Sequence, residues 1–179
     1  MKSSMKTALC GVVTALCVVC MMLTALVPIA TYSCAMLAGL CIIIVVIELS
    51  PKWAFCVYAA VCILSAILVP DKEAVVYFVV IFGYYPVLKL FIEKKKSHIL
   101  QWVLKLAVFN AAAVAGFFFT TGILSVPKES FSIGGVYLPW VFLIMGNVLF
   151  VLYDIAINGL VAAYIKKFRR YFKKYLKFM

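Results

Sequence analysis

The chain has 179 residues, of which 68% are hydrophobic and 13% are charged, and its mean hydropathy is +1.18. A soluble domain, with roughly 45–50% apolar residues, has no interior large enough for that excess, so much of it must face lipid. The formal net charge of +11 excludes little by itself. Because the basic residues flank long apolar runs, we interpret them as topology signals and headgroup contacts and expect no nucleic-acid partner.

Six apolar runs follow one another along the chain, each of about 17–26 residues, which is enough to cross a bilayer as a helix. The runs cover residues 7–27, 30–47, 53–69, 74–92, 99–124 and 140–165. They do not alternate as barrel strands would. The first is longer than a secretory signal core, so we expect it to be retained. The pattern predicts an all-α polytopic bundle, with residues 1–179 forming a single integral membrane domain.

The basic residues predict how the bundle is oriented. Of the 17 lysines and arginines, only Lys72 and Lys128 fall in the odd-numbered loops, and Lys105 lies within the fifth run. The other fourteen are Lys2, Lys6, Lys52, Lys89, Lys94, Lys95, Lys96, Lys166, Lys167, Arg169, Arg170, Lys173, Lys174 and Lys177. Because such residues accumulate in cytoplasmic segments, both termini are expected on the cytoplasmic side of a bacterial plasma membrane. The basic tail, residues 166–179, is expected to lie on the inner surface as an amphipathic segment.

The cysteines do not suggest chemistry. All seven lie inside the first three runs: Cys10, Cys17, Cys20, Cys34, Cys41, Cys56 and Cys62. Cys17 and Cys20 have CxxC spacing, but they sit in the middle of an unbroken apolar stretch. The chain's one histidine lies in a loop. We therefore expect cysteine to serve as a small packing residue, with no metal site and no cofactor.

Polar residues inside the runs need a reason, because burying them in hydrocarbon is costly. They are Lys105 and Asn110 in the fifth run and Asn147, Asp154 and Asn158 in the sixth. The offsets of seven and four place the three residues of the sixth run on one helical face. Asp154 and Lys105 lie at similar depth, which predicts an ion pair that locks two helices together. A proton or ion relay is the alternative, and Lys89 is expected to extend its amine to the interface.

The outward ends of the helices hold the candidate ligand contacts. Residues 70–73 are expected to form a short charged turn, which is either an ordinary turn or a rim that meets a polar solute. Aromatic residues at the tops of three runs are either interfacial belt residues or pocket lining. With one amide from the sixth run, the candidate substrate-binding set is Tyr32, Asp71, Lys72, Glu73, Tyr77, Trp140 and Asn147.

Two pairs of small residues would let helices approach closely. They are Gly11 with Ala15 and Ala35 with Gly39, and they suit a partner subunit or packing within the chain. No nucleophile elbow, phosphate loop or histidine cluster is present in the sequence. We therefore expect no catalytic residue and no enzymatic activity, and any energy for transport would come from a partner or a gradient.

The segment Lys6-Thr-Ala-Leu-Cys-Gly-Val-Val-Thr-Ala-Leu16 resembles the first helix of the substrate-binding S components of energy-coupling factor transporters. The segments 70–73, 82–86, 109–110 and 153–154 resemble features of related bacterial six-helix membrane proteins. The resemblance covers the whole chain in architecture, although Gly11-xxx-Ala15 only approximates the family's Ala-xxx-Ala pattern.

The resemblance implies a solute-binding subunit for uptake of a small molecule such as a vitamin. Its first three helices would dock on a membrane coupling subunit, and its outer loops and last three helices would hold the ligand. Separate cytoplasmic ATPases would hydrolyse ATP. The alternatives are a membrane scaffold or assembly protein that does not transport, and an ion-coupled carrier that uses Asp154.

Overall fold

A computed structural model describes residues 3–27, 30–95, 97–122, 132–133, 136–137 and 139–168. Within these ranges seven α-helices follow in chain order: α1 Ser3–Met22, α2 Thr31–Glu48, α3 Pro51–Leu68, α4 Lys72–Tyr77, α5 Tyr85–Ile92, α6 His98–Gly122 and α7 Pro139–Ala163. A 3-10 turn, Leu23–Ala25, extends α1, and π-helical segments cover Phe78–Phe82 and Tyr164–Phe168. Strands β1 Ser132–Ile133 and β2 Val136–Tyr137 pair antiparallel in the loop before α7.

In the part of the chain that the structure describes, these elements form six segments that are long and apolar enough to span a membrane, and α4, the π-segment and α5 together make the fourth. The predicted all-α polytopic bundle is therefore confirmed, and the chain is a multi-pass membrane protein. An even number of spans places both ends of the bundle on the same side. Residues 169–179, most of the predicted amphipathic tail, lie outside the described residues.

The fourth span is the centre of the bundle. In its apolar segment 67% of residues are buried within the chain, against 22–39% in the other five spans. Its Phe78 is fully buried and belongs to the same hydrophobic core cluster as Met21, Ile42 and Val57 of the first three helices. The other spans expose many large apolar side chains, and we interpret these exposed faces as the surface that contacts lipid.

The fourth span is not the continuous helix that the apolar run 74–92 predicts. After α4 the backbone passes through the π-segment, where the Gly83 amide donates to the Phe78 carbonyl at 2.7 Å. A turn then leads into α5, with Pro86 in its first turn. Proline has no amide hydrogen, so the Phe82 carbonyl loses its ordinary helical partner.

Neighbouring tyrosines donate to the carbonyls at this break. The Tyr153 hydroxyl donates to the Phe82 carbonyl at 3.4 Å, and the Tyr58 hydroxyl donates to the Val79 carbonyl at 2.7 Å. Within hydrocarbon an unsatisfied carbonyl costs several kcal/mol, so a broken span needs such donors from adjacent helices. Tyr58 and Tyr153 therefore stabilise the interruption.

Gly39 of α2 lets this break pack closely. A methyl group on Gly39 would lie 2.6 Å from the Phe82 carbonyl oxygen and 2.5 Å from the Tyr153 hydroxyl. Ala35, one turn earlier, is fully buried. Ala35 and Gly39 therefore pack within the chain. The alternative expectation, that they face a partner subunit, is wrong for this pair. Gly11 and Ala15 lie on the exposed face of α1.

Candidate functional site

A pocket of about 500 Å³ lies between α2, the fourth span, α6 and α7. Eight aromatic residues contribute to its wall: Tyr32, Tyr77, Phe82, Phe109, Phe117, Phe118, Trp140 and Phe142. Aliphatic side chains complete the lining, and the volume falls in the range of small-molecule sites. The pocket occupies the end of the bundle that the charge distribution assigns to the outside.

Small residues on two facing helices leave this space open. Ala113 of α6 and Gly146 of α7 line the pocket, where larger side chains would fill it. A methyl group on Gly146 would be in van der Waals contact with the Phe109 ring, at 3.4 Å. The small side chains of Ala113 and Gly146 therefore keep the pocket open without any rearrangement of the bundle.

Part of the pocket's wall on α6 and α7 reaches the surface of the bundle. Several of its lining side chains are substantially exposed, including Val114 at 43%, Phe118 at 67% and Met145 at 55%. These residues belong to spans whose exposed surface is apolar. This part of the wall therefore faces the depth of the bilayer's hydrocarbon rather than only the aqueous side.

Three of the predicted rim residues come together at the outer end of the pocket. The Tyr32 hydroxyl donates to Glu73 Oε1 at 2.7 Å, and the rings of Tyr32 and Tyr77 meet edge to face with centroids 4.9 Å apart. Both tyrosines line the pocket, as does Trp140, which is 74% exposed. Glu73 does not itself line the pocket, and the hydrogen bond from Tyr32 holds its carboxylate next to the aromatic wall.

Asp71 and Lys72 have structural partners, and the predicted charged turn is a helix start. Asp71 caps α4 by accepting the Ala74 amide at 3.1 Å, and it accepts the Thr31 hydroxyl at 2.8 Å. Lys72 donates to the carbonyls of Ala66 and Val69, at 2.8 and 2.9 Å, near the end of α3. Asp71 is an N-cap and Lys72 a C-terminal cap, and neither lines the pocket.

A layer of aromatic rings forms the floor of the pocket. Phe109 and Phe150 stack with centroids 4.5 Å apart, and Tyr85 meets Phe150 at 4.8 Å. Phe82 meets Tyr153 at 5.3 Å beside them. This layer lies between the pocket and the charged residues nearer the other end of the bundle.

Below that layer, Asp154 is the centre of a buried charge cluster. Lys105 Nζ lies 3.0 Å from Asp154 Oδ2, so the ion pair predicted from the sequence is confirmed. Lys89 donates to Asp154 Oδ1 and, at 3.1 Å, to its main-chain carbonyl. The Tyr85 hydroxyl donates to Asp154 Oδ1 at 2.6 Å. Asp154 therefore joins α7 to both α5 and α6.

Lys89 does not extend to the interface, contrary to the expectation from the sequence. Its side chain is only 5% exposed and faces Asp154 and Glu93, the latter at 3.3 Å. Glu93 also pairs with Lys105 at 2.8 Å, so two lysines are matched by two carboxylates. Tyr85 and Lys89 of α5 and its C-cap residue Glu93 recur every four residues on one helical face, and that spacing could have identified them.

The amides of the fifth and sixth spans pair with each other. Asn110 and Asn147 exchange two side-chain hydrogen bonds of 2.9 Å, so Asn147 is used within the bundle and not as a pocket contact. Asn158 is exposed and does not join Asp154. The single polar face predicted for the sixth span therefore divides among three environments.

The cysteines of the first three spans include one that joins two helices. Cys17 is fully buried, and its thiol donates to the Ala38 carbonyl at 3.3 Å, joining α1 to α2. All seven cysteines are free thiols. Among the residues that the structure describes, no three His, Cys, Asp or Glu side chains come together as a metal site.

The chain matches no protein-family model, and neither the curated proteins nor the solved structures contain a match to it. The fold and the site therefore define the structural class of this protein. It is a six-span α-helical membrane protein with an aromatic pocket above a buried charge cluster, in the part of the chain that the structure describes.

Proposed function

We propose that this chain is a membrane-embedded solute-binding subunit for the uptake of a small molecule such as a vitamin. The observation that carries the proposal is the pocket of about 500 Å³ between α2, the fourth span, α6 and α7. A helix bundle that served only as a scaffold would gain stability by filling such a space. The ligand would bind in the outer half of the bundle, over the aromatic floor.

The lining sets the character of the ligand. Nearly all of the wall is aromatic or aliphatic, so a strongly polar molecule would lose its hydration without gaining hydrogen bonds. The ligand is therefore mainly apolar. Because Val114, Phe118 and Met145 are exposed on the α6–α7 side, it enters from within the bilayer.

Transport would depend on partners, and the chain would have no catalytic activity of its own. The resemblance to S components of energy-coupling factor transporters assigns the driving step to a membrane coupling subunit and cytoplasmic ATPases. The exposed face of α1 is the surface that suits such a subunit. No other group lies within 4 Å of the position of a methyl group on Gly11, so a partner helix could approach closely there.

The ion-coupled carrier built on Asp154 has less support. Both carboxylate oxygens of Asp154 accept from lysine or tyrosine donors, and the residue is 1% exposed. A relay group must exchange protons or ions with both sides, whereas Asp154 lies beneath the Phe109–Phe150 stack. The position of the cluster and the balance of its charges both suit a structural lock between helices.

The test compares two substitutions on α6. Ala113→Phe places a ring in the pocket, whereas Ala111→Phe places the same ring on the exposed face of the same helix. Each variant and the parent protein would be purified in mild detergent, and retained small molecules and co-purifying proteins identified by mass spectrometry. We expect a retained molecule in the parent and in Ala111→Phe, and its loss in Ala113→Phe.

Size-exclusion profiles and thermal stability would verify that both variants fold. A ligand retained equally by the two folded variants would contradict binding in this pocket. Recovery of a coupling subunit and ATPases with all three proteins would support the partner assignment, since the pocket substitution lies away from the exposed face of α1.

A further inference from the structure

The outer end of the pocket indicates which apolar molecules it accepts. Resting on the proposed function, we propose that the ligand is a hydrophobic organic cation, with an aromatic or aliphatic body and a positively charged nitrogen placed beside Glu73. Two features carry this inference: a carboxylate without a cationic partner among the described residues, and the aromatic rings next to it.

Glu73 holds a negative charge that no described cation balances. It accepts the Tyr32 hydroxyl at 2.7 Å, and Tyr32 is a neutral donor. In the described ranges, the ion pairs of 4.0 Å or less involve only Lys89, Lys105, Glu93 and Asp154. Lys72, adjacent in sequence, directs its amine to the Ala66 and Val69 carbonyls. Within the part of the chain that the structure describes, this carboxylate therefore has no cationic partner.

Asp71 adds to the negative character of this rim. Its partners, the Thr31 hydroxyl and the Ala74 amide, are also neutral donors. With Lys72 as the single positive charge, the segment 71–73 has a formal charge of −1 beside the pocket. An anionic ligand would be repelled there, and a cation would form a charge-assisted contact at the border of a medium of low dielectric constant.

The aromatic residues at the same end favour a cation as well. Tyr32 and Tyr77 line the pocket edge to face, and Trp140 lines it from α7. Ring faces attract organic cations, most strongly when water is excluded, and tryptophan is the best of them. Because Tyr32 both lines the pocket and binds Glu73, it connects the apolar wall with the carboxylate.

A neutral apolar molecule would fill the pocket without contacting the charge of Glu73, and an anion would be repelled by that charge. A hydrophobic cation satisfies both halves of the site, since its body is buried among rings and its charge meets the carboxylate. Such molecules also partition into the bilayer, which agrees with a pocket whose wall on α6 and α7 reaches the surface of the bundle.

The experiment uses three probes that share a naphthyl body. They are (2-naphthylmethyl)trimethylammonium, its neutral isostere with carbon in place of nitrogen, and 2-naphthylacetate. Binding to the full chain would be measured calorimetrically in nanodiscs of zwitterionic lipid, with empty nanodiscs subtracted, so that lipid charge does not concentrate the cation. We expect the cation to bind about tenfold more tightly than the neutral isostere, with the acetate weakest.

Substitutions assign the preference to one residue. Glu73→Gln should bring the affinity for the cation down to that for the neutral isostere, whereas Glu48→Gln, at the opposite end of α2 from Tyr32, should leave the preference unchanged. Tyr32→Phe keeps the ring but removes the hydrogen bond that holds Glu73 beside the wall, so the preference for the cation should fall. If Glu73→Gln folds poorly, an unchanged preference in Tyr32→Phe would overturn the inference.

Equal affinity for the cation and its neutral isostere would overturn the inference and leave the pocket intact. A preference for the cation that survives in folded Glu73→Gln would overturn it too. Failure of all three probes to bind, together with equal ligand retention by Ala113→Phe and Ala111→Phe, would overturn both this inference and the proposed function.

Discussion

Asn110 of α6 and Asn147 of α7 exchange two hydrogen bonds, each 2.9 Å long, between their side-chain amides. Each amide nitrogen also donates to a carbonyl one turn back in its own helix, that of Leu106 or Leu143, at 2.8 Å. Every amide hydrogen of the pair therefore has an acceptor. The pair joins the two helices that form the exposed side of the pocket.

This pairing predicts a strongly non-additive response to substitution. Asn110→Leu or Asn147→Leu alone would leave one amide without its interhelical partner, and we expect each to cost about 1–2 kcal/mol of stability. The double variant removes both amides and should be no less stable than either single variant. Thermal unfolding in detergent would measure this. Losses that simply add would contradict the reciprocal bond.

The Asp154 cluster predicts a rescue that depends on which lysine is removed. Asp154→Asn leaves two buried lysines with Glu93 alone, so we expect a loss of about 3–5 kcal/mol or a fall in expression. Adding Lys105→Gln should restore part of that loss. Adding Lys89→Gln should restore more, because it leaves the 2.8 Å Lys105–Glu93 pair intact.

Thermal stability of the single and double variants would check this order. Losses that add in both double variants would show that Asp154 does not pair directly with the lysines. Glu93→Gln is a useful comparison. Its side chain is 37% exposed, so the loss should be smaller than for Asp154→Asn.

The close approach of α2 to the broken span predicts that Gly39 tolerates no side chain. Gly39→Ala would place a methyl group 2.6 Å from the Phe82 carbonyl oxygen, and backbone cannot move aside cheaply. We expect a loss of about 1–3 kcal/mol. Gly11→Ala is the matched control, because nothing lies within 4 Å of its methyl group.

Gly11→Ala should be neutral, or stabilising by up to about 1 kcal/mol, because alanine favours the helix. Both variants would be compared by thermal unfolding in the same detergent. Equal stabilities would show that Gly39 does not hold α2 against the fourth span.

The charge distribution predicts which loops are outside. In a variant without cysteine, Ser132→Cys in the loop before α7 should react with an impermeant thiol reagent added to intact cells. Ser97→Cys, just before α6, should react only after permeabilisation. Labelling of Ser132→Cys from the cytoplasmic side alone would reverse the predicted orientation.

The basic tail predicts a salt-sensitive contact with anionic lipid. Residues 166–179 contain seven lysines and arginines, and each is worth about 1 kcal/mol near an anionic surface. A synthetic peptide of these residues should become helical and bind vesicles that contain anionic lipid, with weaker binding as salt rises. Equal binding to neutral vesicles, insensitive to salt, would exclude charge as the cause.

The distribution of apolar residues along the chain alone determined the fold class and the six spans, because transfer into hydrocarbon depends on local hydrophobicity and not on distant contacts. The positions of the charges within the runs also predicted the Lys105–Asp154 pair, since two lone charges at similar depth are each costly unless they meet. The predicted span ends differ from the observed ones by a few residues, as at Lys72, which begins α4 inside the expected turn.

Tertiary structure alone decided which span is central and how its interruption is tolerated. Gly83 and Pro86 mark a break in the sequence, but the donors that stabilise it, Tyr58 and Tyr153, lie on other helices. The pocket and the inward turn of Lys89 likewise depend on contacts between residues far apart in the chain. Runs of nearly uniform apolar composition carry no information about which faces meet, because in lipid small differences in side-chain size and a few hydrogen bonds select the packing.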